Sequence, residues 1–497
     1  MSHTVVIAGA GPTGLMLASE LALVGVDTIV VERRPEPEQR SRGMAIHGQT
    51  LELFEQRGLR ERIGADEIFP WPRTPFSLLW LDLGTVGAED HVHAFPQWRT
   101  EALLERRAVE LGVDIRRGSE VTGFDQDEGG VTVEVASGDG TERVRADYLV
   151  GCDGPGSLVR ERAGIKFPGD GETYHGVFGD VAAEAVEGIE FDAEPRPTGV
   201  FAAMPIEPGV MRLMTLRFGV DPPADGAGVS ARELAESITE VTGQAVELPE
   251  LRWAARFGGQ TRVADRYRDG RVLIAGDAAH TLFISGTQGM HTGLTDAVNL
   301  GWKLGAVLNG WAPEGLLDTY EAERKPVGER MAMHARASIA LLHPLEKMEQ
   351  LRALISRLAS FDEVTRHLLR MTTAVRYPMG GVREGAEAPE HPLLGARVPA
   401  TVLAAVEDGA RALLDSQRAV RGAVVDLSEG AADLGAVAGW ADRVDVVRAV
   451  RSSDVDAAVL VVRPDGHVAF VDTAGTDAEG LRAALGTWFG EPGEAGR

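Results

Sequence analysis

Val5-Val6-Ile7-Ala8-Gly9-Ala10-Gly11-Pro12-Thr13-Gly14 is a short apolar run feeding a Gly-x-Gly-x-x-Gly turn. Val5 to Ala8 suit a buried parallel strand, and Leu15, Ala18, Leu21 and Ala22 recur at helical spacing behind the glycines. Gly9 permits a tight turn, Gly11 lets the backbone approach a pyrophosphate, and Gly14 allows close packing of helix on sheet. With Pro12 and Thr13 these residues open a helix whose unpaired amides and dipole favour phosphate. A second apolar strand, Asp27-Thr28-Ile29-Val30-Val31, ends at Glu32. That acid falls about 20 residues past the glycines, where it can accept hydrogen bonds from a ribose. The pattern is a βαβ dinucleotide cradle.

Far downstream, Arg271-Val272-Leu273-Ile274-Ala275-Gly276-Asp277-Ala278-Ala279-His280 is a second apolar run, ending in Gly-Asp. It fits a clamp for the flavin end of the same dinucleotide. The two segments together point to FAD, tightly but non-covalently held, rather than to NAD.

Composition sets outer bounds. A chain of 497 residues is long enough for two or three domains, and 44% hydrophobic with 25% charged residues is ordinary for a soluble protein. A formal net charge of −25 argues against nucleic acid and anionic membrane as partners. Cys152 is the only cysteine, which excludes an intrachain disulfide and a zinc–cysteine cluster. In Leu149-Val150-Gly151-Cys152-Asp153-Gly154 it reads as a small core residue rather than a nucleophile. The first strand begins within five residues of Met1 without a charged leader, and Gly9, Gly11, Pro12, Gly14, Glu20, Gly25 and Asp27 break the early apolar stretch. The expectation is a cytoplasmic protein. His91-Val92-His93 lacks a neighbouring acid or cysteine and reads as a solvated edge, so no metal site is expected.

The division expected along the chain has five parts: residues 1–171, first part of the FAD-binding domain; 172–265, a substrate-binding sheet; 266–376, the second part and long helices; 377–392, a linker; and 393–497, a small α/β domain. Ser77-Leu78-Leu79-Trp80-Leu81 looks strand-like, and Glu101 to Leu111 helical with Thr100 as cap and Gln97 just before it. Strands Gly199–Met204 and Met211–Phe218 predict an antiparallel sheet set into the cofactor domain. Its inner face is expected to roof a substrate cavity, with Phe201, Met204, Met214 and Leu216 as lining. Helices are expected at Thr292 to Leu308, 314–342 and 345–374.

The residues carry a recognisable likeness. Gly9-x-Gly11-x-x-Gly14, Asp153-Gly154-Pro155-Gly156-Ser157-Leu158-Val159-Arg160, Gly276-Asp277-Ala278-Ala279-His280 and Gln288-Gly289 stand in order, followed by Asp296 to Leu304 and Tyr320 to Pro326. The chain resembles group A flavoprotein monooxygenases, particularly the aromatic polyketide hydroxylases of antibiotic-producing bacteria. Residues 385–497 resemble the thioredoxin-like C-terminal domain of that subfamily, here without Cys-x-x-Cys and so redox-inert. The fold class this implies is α/β: a Rossmann-like FAD domain, an inserted antiparallel sheet and a thioredoxin-like end.

The resemblance also implies roles. Glu32 holds the adenosine ribose, with Arg33 and Arg42 near adenosine and pyrophosphate. Gln97 contacts the FAD backbone, Val121 the adenine through its main chain, and Asp277 the ribityl chain. Asp153 lies near the pyrophosphate and the nicotinamide's path, and main-chain groups of Gly289, Met290 and His291 face the flavin ring. No second Gly-x-Gly-x-x-Gly is present, in keeping with NADPH or NADH as a visiting reductant. The implied reaction is hydroxylation of a polycyclic aromatic polyketide by dioxygen, through a flavin C4a-hydroperoxide shielded from water. It requires no acid–base side chain, and no catalytic residue is assigned. Ile284, Thr287 and His291 depart from the family's usual proline, glycine and asparagine. His291 thereby places a group whose unperturbed pKa is near 6.5 beside the ring. Baeyer–Villiger insertion or another oxidation or rearrangement is an alternative outcome. A flavin-free lipid-binding escort is a third, opposed by the intact glycines, Glu32, Gln97 and Asp277.

Overall fold

Thr4–Ala8 lies at the heart of a six-stranded sheet, in the order Arg268–Asp269, Val272–Ile274, Tyr148–Gly151, Thr4–Ala8, Asp27–Glu32, Asp114–Arg117. The computed structural model describes residues 4–40, 43–84, 86–87, 90–169, 174–186, 195–220, 228–258, 261–282, 288–373, 375–379, 391–399, 402–403, 411–450 and 455–493. All pairings in this sheet are parallel except that of the short Arg268–Asp269 edge. Parallel strands are covered on both faces, and Val5, Val6 and Ile7 are accordingly inaccessible to solvent. Thr4–Ala8 has Asp27–Glu32 on one side and Tyr148–Gly151 on the other. The strand order reverses there, so the carboxyl ends of the strands open a crevice of the kind that binds ligands in open α/β sheets. Gly9, Cys152 and Ala275 all leave the sheet at that edge.

A second, antiparallel sheet of five strands runs Pro195–Arg196, Gly199–Glu207, Val210–Phe218, Tyr174–Ala182, Trp253–Gly258. The Ala231–Thr242 helix covers one face, burying Leu234, Ile238 and Val241 against Val177, Phe201 and Leu213. Ser230 caps that helix by accepting from the Glu233 amide, and Gly243 ends it in a left-handed conformation. The other face packs Tyr174, Phe178, Val200 and Leu216 against Ala335, Ile339 and Leu342 of the Thr319–Leu342 helix.

Several boundaries differ from expectation. The helix expected from Glu101 begins at Gln97, because Pro96 is the residue that precedes it, and Thr100 is buried inside rather than capping. Ser77 and Leu78 have φ of 52° and 60° and form the turn of a hairpin between Arg73–Phe76 and Leu79–Asp82. The helix expected from Thr292 starts at Gln288. The single stretch at 345–374 is two helices, Leu345–Leu358 and Asp362–Thr373.

Near the C-terminus a four-stranded sheet, ordered Val444–Arg448, Gly422–Asp426, Val459–Val462, Val468–Asp472, is parallel in its first pair and antiparallel in the rest. Helices Arg411–Arg418 and Ala478–Phe489 accompany it. Trp302 of the Gln288–Leu308 helix shares a core with Trp440, Trp488 and Phe489 of this unit. Arg57 grips Glu20 through two hydrogen bonds of 2.6 and 2.9 Å and donates to the carbonyls of Gln417 and Pro464. Among the described residues no helix is long and apolar enough to cross a membrane.

Candidate active site

The glycine turn is built around close backbone approaches. Gly9 has φ of 103°, and a side chain there would run into the Cys152 carbonyl; one at Gly14 would strike the Gly9 carbonyl. At Gly11 and Gly154, by contrast, no atom lies within 4 Å of where a side chain would begin. Each borders open space, Gly11 at the first turn and Gly154 in the Asp153 loop, leaving room for the backbone to approach a pyrophosphate. Pro12 opens the Pro12–Leu23 helix, where its missing N–H costs no hydrogen bond. Thr13 serves packing: side chains at Gly276 or Gly293 would collide with its own, so it keys the Gly276 turn and the Gln288–Leu308 helix onto the cradle.

Glu32 is buried at the end of its strand. Oε2 accepts from the Ala10 amide at 2.8 Å, and Oε1 from the Arg34 amide at 2.9 Å and from Arg34 Nε at 3.3 Å. Burial works to raise its pKa, but the two amides and the guanidinium together outweigh it and hold the carboxyl below its ordinary value. Arg34 also bonds Glu38 at 3.1 Å, and the neighbouring Arg33 is exposed. Arg42, Ile284 and Thr287 lie outside the described residues.

Gln97 stands at the head of its helix, its amide donating to the Gly43 carbonyl at 3.0 Å and its Nε2 to Glu101 Oε1 at 2.8 Å. Burial pushes the Glu101 carboxyl up. The Ser119 amide donates to the Glu32 carbonyl at 3.0 Å, bringing the strand that carries buried Val121 beside the acid. The Val121 strand thus lies beside Glu32, while Gln97 is held against Gly43 and Glu101.

Asp153 Oδ2 accepts from the Val159 amide at 3.2 Å, whereas its buried Oδ1 has no partner among the described residues; burial raises its pKa. Arg160 donates to the Ala278 and Pro155 carbonyls at 2.9 and 2.8 Å and so ties the Asp153 and Asp277 loops together. Cys152 beside them is held as a thiol, since burial pushes its pKa well up.

Asp277 is exposed between buried Gly276 and Ala278, and its Oδ1 lies 4.0 Å from the point where a Gly289 side chain would begin. The acid therefore lies close to the N-terminus of the 21-residue Gln288–Leu308 helix. Met290 is half-buried against the main core. His291 is buried, with Nδ1 2.8 Å from Thr50 Oγ1 and its ring 5.8 Å from that of His47. Burial first, then the neighbouring His47 and Arg397, push its pKa well below 6.5. The near-neutral titration expected of it is lost.

The sheet face decides the substrate residues. Val200 pairs with Leu216 and Ala202 with Met214, and these look toward the Thr319–Leu342 helix. Met204 pairs with Arg212, whose Nη1 is 3.2 Å from Met44 Sδ, beside the Gly43 that Gln97 holds. Phe201, expected as lining with Met204, Met214 and Leu216, points the other way and is locked under the Ala231–Thr242 helix. Among the described residues no group of three or more His, Cys, Asp or Glu is placed to hold a metal.

The Glu32 carboxylate, the open glycines and the exposed Asp277 fit FAD, and comparison with known proteins agrees. Residues 2–335 match the FAD binding domain family and residues 391–492 the aromatic-ring hydroxylase C-terminal family. The chain belongs to the FAD-dependent aromatic-ring hydroxylases, a family of flavoprotein monooxygenases. It is 43% identical to a 12-dehydrotetracycline 5-monooxygenase/anhydrotetracycline 6-monooxygenase of Streptomyces rimosus, covering 99% of this chain and 100% of that one. It is 41% identical to dialkyldecalin synthase of Streptomyces rugosporus, covering 99% of each. The solved OxyS anhydrotetracycline hydroxylase from Streptomyces rimosus superposes with a TM-score of 0.89 at 41% identity, over 99% of this chain and 100% of that one.

Proposed function

We propose that this monooxygenase uses NADPH or NADH and dioxygen to hydroxylate a polycyclic aromatic polyketide. The observation that carries the reading is the exposed Asp277 carboxylate beside Gly289 at the head of the Gln288–Leu308 helix, together with the Glu32 cradle. Bound FAD supplies the hard chemistry, taking hydride from the nicotinamide and activating dioxygen. The chain's part is to bind, orient and exclude water. Glu32, held ionised, accepts from the adenosine ribose, with the Val121 main chain at the adenine and Gln97 on the FAD backbone. Asp277 accepts ribityl hydroxyls, while the amides of Gly289, Met290 and His291 face the ring. The N-terminal dipole of Gln288–Leu308 favours negative charge there, a task the neutral His291 does not share. Met204, Met214 and Leu216, with Ala335 and Ile339 opposite, form the apolar wall that keeps water from the reacting centre.

The domain division given by the sequence is retained in this reading, with 393–497 as a thioredoxin-like unit whose role is structural. A location in the cytoplasm goes with it. Conversion without net oxygenation is a second reading, favoured by the 41% likeness to a dialkyldecalin synthase. Aerobic turnover with NADPH and candidate polyketide aglycones separates the two. A product heavier by one oxygen, labelled from 18O₂, supports hydroxylation; conversion at unchanged mass overturns it in favour of rearrangement.

A further inference from the structure

Behind the Gly276–Asp277 turn, a buried polar chain leads into the C-terminal unit. The Gly276 amide donates to Asp296 Oδ2 at 3.1 Å, and His280 Nε2 sits 2.7 Å from the same oxygen. Arg324 Nε donates to Asp296 Oδ1 at 2.6 Å. Its Nη2 donates to the Thr292 carbonyl at 3.1 Å and to Thr295 Oγ1 at 2.8 Å, and its Nη1 to the Tyr377 hydroxyl at 2.8 Å. The Tyr377 ring lies 4.2 Å from that of His467, whose Nδ1 is 3.3 Å from Asp465 Oδ1. Asp296, Arg324, Tyr377, Asp465 and His467 are all buried. A cavity of about 10 Å³, room for one water, lies among His291, Thr295, Arg324, Tyr377 and His467.

Arg324 thus braces both walls of the flavin site. Through Asp296 it fixes the amide of Gly276, the residue that aims Asp277. Through Thr292 and Thr295 it holds the helix turn that follows Gly289. A guanidinium is a rigid planar fork, so the angle of one donor fixes the angles of the others. Tyr377 holds one prong from outside the cofactor domain. Buried ion pairs add little net stability over apolar replacements, which makes geometry the better reason for this one.

We propose that Tyr377, backed by His467 and Asp465, is a positioning residue through which the C-terminal unit sets the flavin clamp. This rests on the reading that Asp277 holds the ribityl chain.

The test compares wild type, Asp277→Ala and Tyr377→Phe, each purified folded and stripped of flavin. FAD affinity is measured by fluorescence titration, with the bound flavin's visible spectrum, its midpoint potential and the apo-protein Tm. Tyr377→Phe keeps the ring and removes one hydrogen bond to a charged group, so FAD affinity should fall about 10-fold or more. The spectrum and potential should also shift, at near wild-type apo Tm. Unchanged affinity in Asp277→Ala overturns the flavin placement itself. Weakened affinity there, with a Tyr377→Phe spectrum, potential and affinity matching wild type, overturns the positioning role alone. A lowered apo Tm with flavin properties unmoved makes Tyr377 merely structural and overturns it too. Should Tyr377→Phe not fold, His467→Phe, which leaves a ring against Tyr377 and cuts it from Asp465, is read the same way.

Discussion

His291 Nδ1 and the Thr50 hydroxyl lie 2.8 Å apart in a site closed to solvent. Burial, His47 and Arg397 all disfavour the cation, so the pKa falls well below 6.5. Between pH 6 and 8 His291 therefore carries no charge, and none changes there. Stopped-flow flavin reduction should show no His291 titration across that range. His291→Asn should alter the rate by a pH-independent factor; a wild-type inflection that vanishes in the variant refutes this.

In the proposed reading, Asp277→Ala removes a carboxylate that accepts ribityl hydroxyls. Charge-assisted hydrogen bonds of this kind contribute ~1.5–3 kcal/mol. FAD affinity should drop roughly 10- to 150-fold at unchanged fold, read by titrating the apo-protein. Full flavin retention on purification and equal affinity count against the placement.

The cradle was legible because each of its parts has a local cause. Gly9 and Gly14 are demanded by backbone contacts that admit no side chain, and a buried acid at Glu32 follows from a strand ending beside them. The central sheet followed from apolar runs such as Val5 to Ile7, which only a doubly covered strand explains. What escaped depends on distant partners. Asp296 and Arg324 sit in helical stretches, and nothing local says that one bonds the Gly276 amide and the other Tyr377. Ser77 and Leu78 take positive φ despite strand-like composition, because the hairpin turns there. Phe201 differs from Val200 by one residue, yet period-two alternation sends it to the opposite face. Sequence alone did not fix that register.

The two faces can be told apart by mutation. Phe201→Ala empties a site packed under Leu234, Ile238 and Val241, at a cost of about 3–5 kcal/mol. Its folded fraction should keep wild-type KM. Met214→Ala, on the half-buried face toward the Thr319–Leu342 helix, should cost less stability and, in the proposed reading, change KM for the aromatic substrate. Denaturant melts paired with steady-state kinetics check both, and a KM change confined to Phe201→Ala would reverse the assignment.

Arg57 and Glu20 form a closed pair, 2% and 0% exposed. Arg57→Ala strands the carboxylate and also frees the Gln417 and Pro464 carbonyls. Removing one partner of a buried pair costs ~3–5 kcal/mol. The variant should unfold at lower denaturant and expose the C-terminal unit to limited proteolysis. Glu20→Gln with Arg57→Met, which leaves no uncompensated charge, should recover part of the loss.

His334 supplies an acid limb to the stability profile. It is buried, its ring 5.0 Å from that of Phe76, and neither ring nitrogen has a partner among the described residues. Burial lowers its pKa from 6.5 to about 4. Between those values the unfolded chain binds more protons than the native one, so stability rises with pH. His334's contribution is therefore fully present above pH 6.5 and is lost as pH falls from there toward 4. Each tenfold weakening of proton binding corresponds to about 1.4 kcal/mol, so the loss amounts to ~3 kcal/mol. His334→Phe replaces the ring by one of similar shape that cannot take up a proton. Urea melts of both proteins at intervals from pH 7.5 to 4 should give difference curves that are flat above 6.5 and move in favour of the variant below it. Curves that stay parallel throughout would show that His334 takes up its proton equally well folded and unfolded, and that its burial has no electrostatic consequence.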